Sequence, residues 1–258
     1  MRRGVYTLFN QEVLPDELII VDDGSTDNTR ECVWELKKTA PFPIKYIYLD
    51  HPEPRISCKP RNVGIKQAKF EIVAFTEPEC LHIGNTVKQI KEKLEEFPTH
   101  VPMATQIWTM GQKITETLPE VCFQNPTSIL AHEYADLTSA DHPNNIKAPD
   151  ADWGITGSNQ VFAGCLFAVP KRDLEYVGGF DEEFTGYGWD DWDLLHRLDK
   201  VGKRWLICND IIVIHQWHPK NYGFDIYKAS EENGNRSKKN IDDYRFCANL
   251  GKDWGVLE

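Results

Sequence analysis

Apolar residues fall in short runs and helical stripes that alternate over the first hundred positions of this chain. Leu18-Ile19-Ile20-Val21 is a continuous apolar run that stops at Asp22-Asp23-Gly24, as a buried parallel strand does where it reaches a functional edge. Before it, residues 5–12 read as the end of a helix and Pro15-Asp16 as a turn. After it, Ser25-Thr26-Asp27 supplies capping groups for a helix that runs to about Lys38 and ends before Pro41. Positions 44–49 read as a strand, 60–68 as a helix, and 71–75 as a third strand that ends in Glu77-Pro78-Glu79. In 86–97, Val87, Ile90, Leu94 and Phe97 mark one face of an amphipathic helix. The alternation predicts an α/β fold with a mostly parallel central sheet flanked by helices, and ligands at the carboxyl ends of its strands.

From 110 to 160 the periodicity dissolves into Pro, Asn, Asp and Ser, which predicts a long loop or lid region with one helix near 127–135. Order returns with a strand over 161–169, a helix over 171–177 and a turn at Gly178-Gly179. A helix over 190–201 follows, then short strands at 204–208 and 211–215 and a last helix over 237–249. At 258 residues one large domain is favoured over two small ones.

Charge and cysteine usage narrow the class. The formal net charge is −11, with 40 acidic against 29 basic residues, and a nucleic-acid surface needs the opposite balance. An acidic pocket still accepts a phosphorylated small molecule when a divalent cation reverses its local sign. The seven cysteines are scattered and form no CxxC pair, which fits a reducing compartment, and a cytoplasmic location is expected. No apolar run approaches bilayer length, so no transmembrane segment is expected, and peripheral contact with a membrane stays open.

Four clusters carry candidate chemistry. Asp22 and Asp23 at a strand end can accept hydrogen bonds from a base N–H or ribose hydroxyls, although loop-and-cap duty explains them equally well. Glu77 and Glu79, at i and i+2 beyond a strand, would project to one side and hold a divalent ion on a diphosphate; an acidic turn before a helix is the bland alternative. Asp190, Asp191 and Asp193 open a helix, where they complement its dipole or present a general base. His215 and His218 follow a short apolar strand, and a lone histidine there is more often structural than a ligand.

Taken together, Val21-Asp22-Asp23-Gly24-Ser25-Thr26-Asp27, Arg61-Asn62-Val63-Gly64-Ile65 and Glu77-Pro78-Glu79 resemble the nucleotide-sugar glycosyltransferases of family 2, which have a GT-A fold. Gly178-Gly179-Phe180-Asp181-Glu182-Glu183-Phe184 and Gly186-Tyr187-Gly188-Trp189-Asp190-Asp191-Trp192-Asp193-Leu194, with Arg197-Leu198, resemble a galactosyltransferase-type C-terminal segment. The resemblance implies a single GT-A domain, with 1–105 as the nucleotide-sugar-binding half and 106–258 as the acceptor-binding and catalytic half. It implies transfer of a sugar from a nucleotide donor, UDP-linked by family habit, to a glycan or other hydroxyl acceptor, with inversion and Mn²⁺ or Mg²⁺, as in polysaccharide biosynthesis. It places Asp191 as the base and Asp190 on acceptor hydroxyls, and Trp189, Trp192 and Trp217 lie beside these motifs, where they can form a stacking floor for the acceptor. Core packing is an equally good account of any one of them. Asp22, Asp23 and Arg61 fall on the nucleotide, and Glu77, Glu79 and His215 on the metal, with His218 in reserve. Three departures stand out. Glu-x-Glu replaces the family's Asp-x-Asp, Asp190 replaces a Glu, and Met1 to Gln11 resembles the helix after the family's first strand, so that strand is expected to be missing. The Glu-x-Glu change and the missing strand support an alternative, a catalytically degenerate glycan- or nucleotide-sugar-binding module, whereas Asp191 and His215 together speak against it. A nucleotidyltransferase would show a glycine-rich, basic phosphate loop near the N-terminus, and none is visible.

Overall fold

The computed structural model describes residues 1–50, 58–108, 152–153, 165–216, 218 and 224–257. The first elements are α1 (Arg2–Phe9), β1 (Leu18–Asp22), α2 (Thr29–Thr39), β2 (Ile44–Tyr48), α3 (Cys58–Gln67), β3 (Ile72–Thr76), β4 (Cys80–Ile83) and α4 (Thr86–Glu96). Then come β5 (His100–Trp108), β6 (Asp152–Trp153), β7 (Leu166–Pro170), α5 (Lys171–Tyr176), α6 (Asp190–Lys200), β8 (Arg204–His215) and α7 (Ile226–Asp242). The expected helix near 127–135 and the expected strand's first residues, 161–164, lie outside the described residues.

The run at 18–21 is a strand whose residues are half-buried, with apolar contacts on both faces. Leu18 and Ile20 pack with α1, α2, Phe42 and Ile44, while Ile19 and Val21 meet Ile47, Leu49 and Val63 of α3. It pairs in parallel with β2, from Leu18 opposite Ile44 to Asp22 opposite Tyr48. The remaining strands form a second sheet in the order β3-β7-β5-β8-β4, with β6 on β8. Here the expectation of a mostly parallel sheet fails. Among the described residues of this sheet the β5–β8 ladder is parallel, and the β3–β7, β5–β7, β4–β8 and β6–β8 ladders are antiparallel. Periodicity reports that a strand is buried on both faces but not which strand lies beside it, and β3 turns out to pair with a strand almost a hundred residues away.

Two more boundaries differ. The pair of strands expected at 204–208 and 211–215 is one strand, whose ladder with β5 skips from Cys208 to Ile212 between Ala104 and Thr105. Asn209-Asp210, between the two expected strands, sit in that bulge. The last helix runs Ile226–Asp242, eleven residues earlier at its start than expected, and Asp225 caps it by accepting from Tyr227 and Lys228 N–H at 3.0 and 3.1 Å.

The core lies between the larger sheet and α6. Phe167, Phe180, Phe184, Leu194, Leu195 and Leu198 are fully buried there, and Arg197 is buried with them. Arg197 Nε donates to Asp193 at 2.8 Å, and Nη1 donates to the carbonyls of Val177 and Gly179 at 2.7 Å each. A buried guanidinium is tolerable only when paired in this way.

Candidate active site

β4, which the sequence pattern did not reveal, is what aims Glu79. A backbone bond from Cys80 N–H to Glu77 C=O (3.1 Å) closes a tight turn at 77–80, and β4 then runs antiparallel to β8 with Cys80 opposite His215. That register sets Glu79 beside the end of β8, where its carbonyl accepts from Gln216 N–H at 3.2 Å and from Gln216 Nε2 at 2.8 Å. Its carboxylate Oε1 lies 3.0 Å from His215 Nε2 and 3.3 Å from His218 Nε2. Burial raises the affinity of the Glu79 carboxylate for a proton, but the His215 contact outweighs it and the pKa falls below the ordinary value.

One oxygen and two imidazole nitrogens, all within 4.8 Å of one another, are a donor set that fits a divalent ion such as Mn²⁺. Glu77, expected in the same set, points elsewhere. In a tight turn the strand's alternation no longer applies, and the Glu77 carboxylate accepts from Arg61 Nη2 at 2.7 Å. Of the expected metal residues, the structure thus brings together Glu79 and His215 and adds His218.

Arg61 projects from α3 and joins the two halves of the site. Its Nη1 donates to Asp190 and lies 3.5 Å from Asp191 Oδ1, and its guanidinium sits 5.2 Å from the Phe180 ring centroid. Burial works against its charge, yet attraction to Asp191, Asp190 and Glu77 holds its pKa well above the usual arginine value. One cation cannot balance three carboxylates. Burial first, then repulsion from Asp190 and Glu77, pushes the Asp191 carboxyl up to about 7 despite Arg61. A carboxylate at that value is tuned to take a proton near neutral pH.

The loop leading into α6 is held by contacts that a search for chemistry-bearing residues passes over. Gly178 has φ +74°, and a Cβ on it would lie 2.1 Å from the Ala248 carbonyl oxygen, so only glycine fits. Asn62, beside Arg61, accepts from Phe180 N–H at 2.8 Å and donates to Phe180 C=O and Glu182 at 2.9 Å each. Asn233 of α7 donates to the carbonyls of Thr185, Tyr187 and Gly188 at 2.9–3.1 Å. Asn240 donates to Asp193 at 2.8 Å and Asp181 at 3.3 Å. Asp193 is therefore a buried anchor for Arg197 and Asn240.

Trp189 and Trp192 part company. Trp192 packs edge-on against Trp205 and His196, with centroids 5.1 Å apart in both pairs, at the margin of the core. Trp189 caps α6 at φ 70°, a conformation rarely adopted by bulky residues, and remains 44% exposed. Trp217 lies outside the described residues. At the far strand end, Asp22 accepts from Ser25 N–H at 2.8 Å and from the Tyr46 hydroxyl at 2.6 Å, which shapes the loop that presents Asp23.

Residues 1–126 match the family model described as glycosyl transferase family 2, and residues 147–210 match one described as the N-terminal domain of galactosyltransferase. The chain is 27% identical over 229 residues to a chondroitin synthase of Escherichia coli, covering 82% of this chain and 32% of that protein. It is 26% identical over 211 residues to a validoxylamine A glucosyltransferase of Streptomyces hygroscopicus subsp. limoneus, covering 78% and 45% respectively. The chain thus spans less than half the length of these relatives. Among solved structures, a mannosyltransferase from Pyrobaculum calidifontis in complex with GDP-Man and Mn²⁺ matches with a TM-score of 0.55 at 18% identity, over 85% of this chain and 53% of that one. GalNAc-T7 with UDP, GalNAc and Mn²⁺ matches with a TM-score of 0.58 at 14% identity, over 87% and 41%. At these identities the structural likeness is one of fold.

Proposed function

The chain belongs to the family 2-like glycosyltransferases and has their GT-A fold, and on that premise we propose that it transfers a sugar from a UDP-linked donor to an acceptor hydroxyl with inversion. The observation that carries this reading is the Asp191 carboxyl, held at about 7 at the start of α6 and tied through Arg61 to Glu77, two residues from Glu79.

In this reading Asp191 takes the acceptor hydroxyl's proton as the acceptor oxygen bonds to the anomeric carbon and the bond to the diphosphate oxygen breaks. The electron pair of that bond leaves with the nucleoside diphosphate. Glu79, His215 and His218 would hold a divalent ion, which when bound supplies Lewis-acid neutralisation of the diphosphate. Arg61 keeps Asp190 and Asp191 in place against Glu77, so the base stays registered to the donor side. Asp190 and Trp189 face the acceptor, and Asp23 meets the nucleoside.

The relatives support the class of reaction, since synthases of glycan chains and a glucosyltransferase are among them. The Mn²⁺ complexes of the structural neighbours support a metal-dependent donor site. The test is hydrolysis of a panel of UDP-, GDP- and dTDP-sugars with Mn²⁺, by this chain and by Asp191→Asn. Turnover of one donor class that needs metal and is lost in Asp191→Asn is the expected result. Metal-dependent binding of a donor without turnover would make the chain a binding module and overturn the reading.

A further inference from the structure

A groove of about 570 Å³ runs between the start of α6 and α7, lined by Trp189, Tyr227, Ser230, Gly234, Asn235 and Lys238 among others. Its volume falls within the roughly 300–1,000 Å³ of small-ligand clefts. It begins at Trp189, one residue before Asp190 and two before Asp191.

Trp189 is placed there at a cost. A bulky residue in the left-handed region is strained by about 1–3 kcal/mol unless its surroundings hold it. Two contacts do so: its Nε1 donates to Ser230 Oγ at 3.2 Å, and its ring lies over Gly234, where a Cβ would meet the indole at 3.2 Å. The glycine, unfavourable inside a helix by about 1 kcal/mol, makes room for the ring. Tyr227, 83% exposed, offers a second aromatic surface in the same groove. Beneath them the Ser237 hydroxyl is 1% exposed and has no hydrogen-bond partner among the described residues. Its neighbours on the buried face of α7, Asn233 and Asn240, are both engaged. An aromatic face beside hydrogen-bonding groups is the chemistry that receives a pyranose ring, whose faces are apolar and whose rim is hydroxyl.

We propose that this groove is a subsite for the second and following sugar rings of the acceptor, so that the acceptor is an oligosaccharide chain and Trp189 and Tyr227 grip it behind the reacting end. This deepens the transferase reading and rests on it for the identity of the bound chain as acceptor. Trp189 holds the ring nearest the base and Tyr227 the next, with Asn235 and Lys238 on the groove wall beside them.

The test is binding without donor or metal, so that it stands apart from catalysis. Hexasaccharides of β-linked glucose, of β-linked N-acetylglucosamine and of alternating uronic acid and hexosamine are compared with their monosaccharides by calorimetry and saturation-transfer NMR. At least one hexasaccharide should bind about tenfold or more tighter than its monosaccharide. Trp189→Ala and Tyr227→Ala should each weaken it about three- to tenfold. Tyr227 is so exposed that its substitution cannot act through folding, which leaves the result readable if Trp189→Ala is unstable. Hexasaccharides that bind no tighter than monosaccharides, or binding that survives Tyr227→Ala, would overturn the proposal. A chain that hydrolyses donor but fails this test loses the groove alone; one that passes it yet hydrolyses no donor loses the transferase reading alone.

Discussion

Arg61 brings one positive charge to a place where Glu77, Asp190 and Asp191 bring three negative ones. Two consequences follow for single residues. In the folded chain Asp191 titrates at about 7 and in the unfolded chain near 4, so between those values the native state binds a proton that the unfolded state lacks. Stability contributed by this group is present below pH 4 and is lost as pH rises to 7. Asp191→Asn is uncharged throughout, so its stability relative to the parent should grow from pH 4 to pH 8, read by urea unfolding at both values. The second consequence concerns the cation. Arg61→Met leaves three carboxylates without their counter-charge, and should cost about 3 kcal/mol or more at pH 8 and clearly less at pH 5, where Asp191 is protonated. Equal losses at the two values would contradict the shared-cation account.

The elements that position these residues differ in how plainly the chain announces them. β1, α3 and α6 were legible because each follows a rule of local chemistry: an apolar run ended by Asp22-Asp23-Gly24, a helix after Pro60, and acidic residues in a first turn. α7 was misplaced because its buried face is polar. Asn233, Ser237 and Asn240 recur at helical spacing and turn inward, so a search for apolar stripes finds nothing there. β4 was missed for a different reason: four residues after an acidic turn carry no alternation, and its pairing with β8 is set from more than a hundred residues away. The same long-range pairing explains why Glu79 and His215 were legible as metal candidates but the divergence of Glu77 was not. Two substitutions test the element-level account. Gly178→Ala, which drives a Cβ into the Ala248 carbonyl at φ +74°, should destabilise the chain by about 2 kcal/mol or more. Asn240→Leu, which removes one partner each of Asp193 and Asp181, should destabilise it by about 1–3 kcal/mol. Denaturant midpoints check both, and a change within about 0.5 kcal/mol in Asn240→Leu would mean that α7 does not brace α6.

For the molecule as a whole, Glu79, just before β4, meets His215 at the end of β8 and His218 beyond it, two segments more than a hundred residues apart. An ion that binds only the native arrangement stabilises all of it by mass action, by about 2.7 kcal/mol at a hundredfold excess over Kd. Mn²⁺ should therefore raise the Tm by roughly 5–10 °C, and Glu79→Ala should abolish the shift. Among the described residues no helix is long and apolar enough to cross a membrane. The chain spans 23% and 32% of the two chondroitin synthases it resembles, while the elements that carry Asp191, Arg61 and the triad all lie within it.

The most direct test of the account is the pH dependence of kcat/KM for donor hydrolysis at saturating Mn²⁺. With Asp191 as the base, the rate should climb tenfold per pH unit below an apparent pKa near 7 and level off above it, while Asp191→Asn falls by about 10²–10⁴ and loses that limb. A rate that stays flat from pH 5 to pH 9, or that keeps its limb in Asp191→Asn, would contradict the assignment of the base.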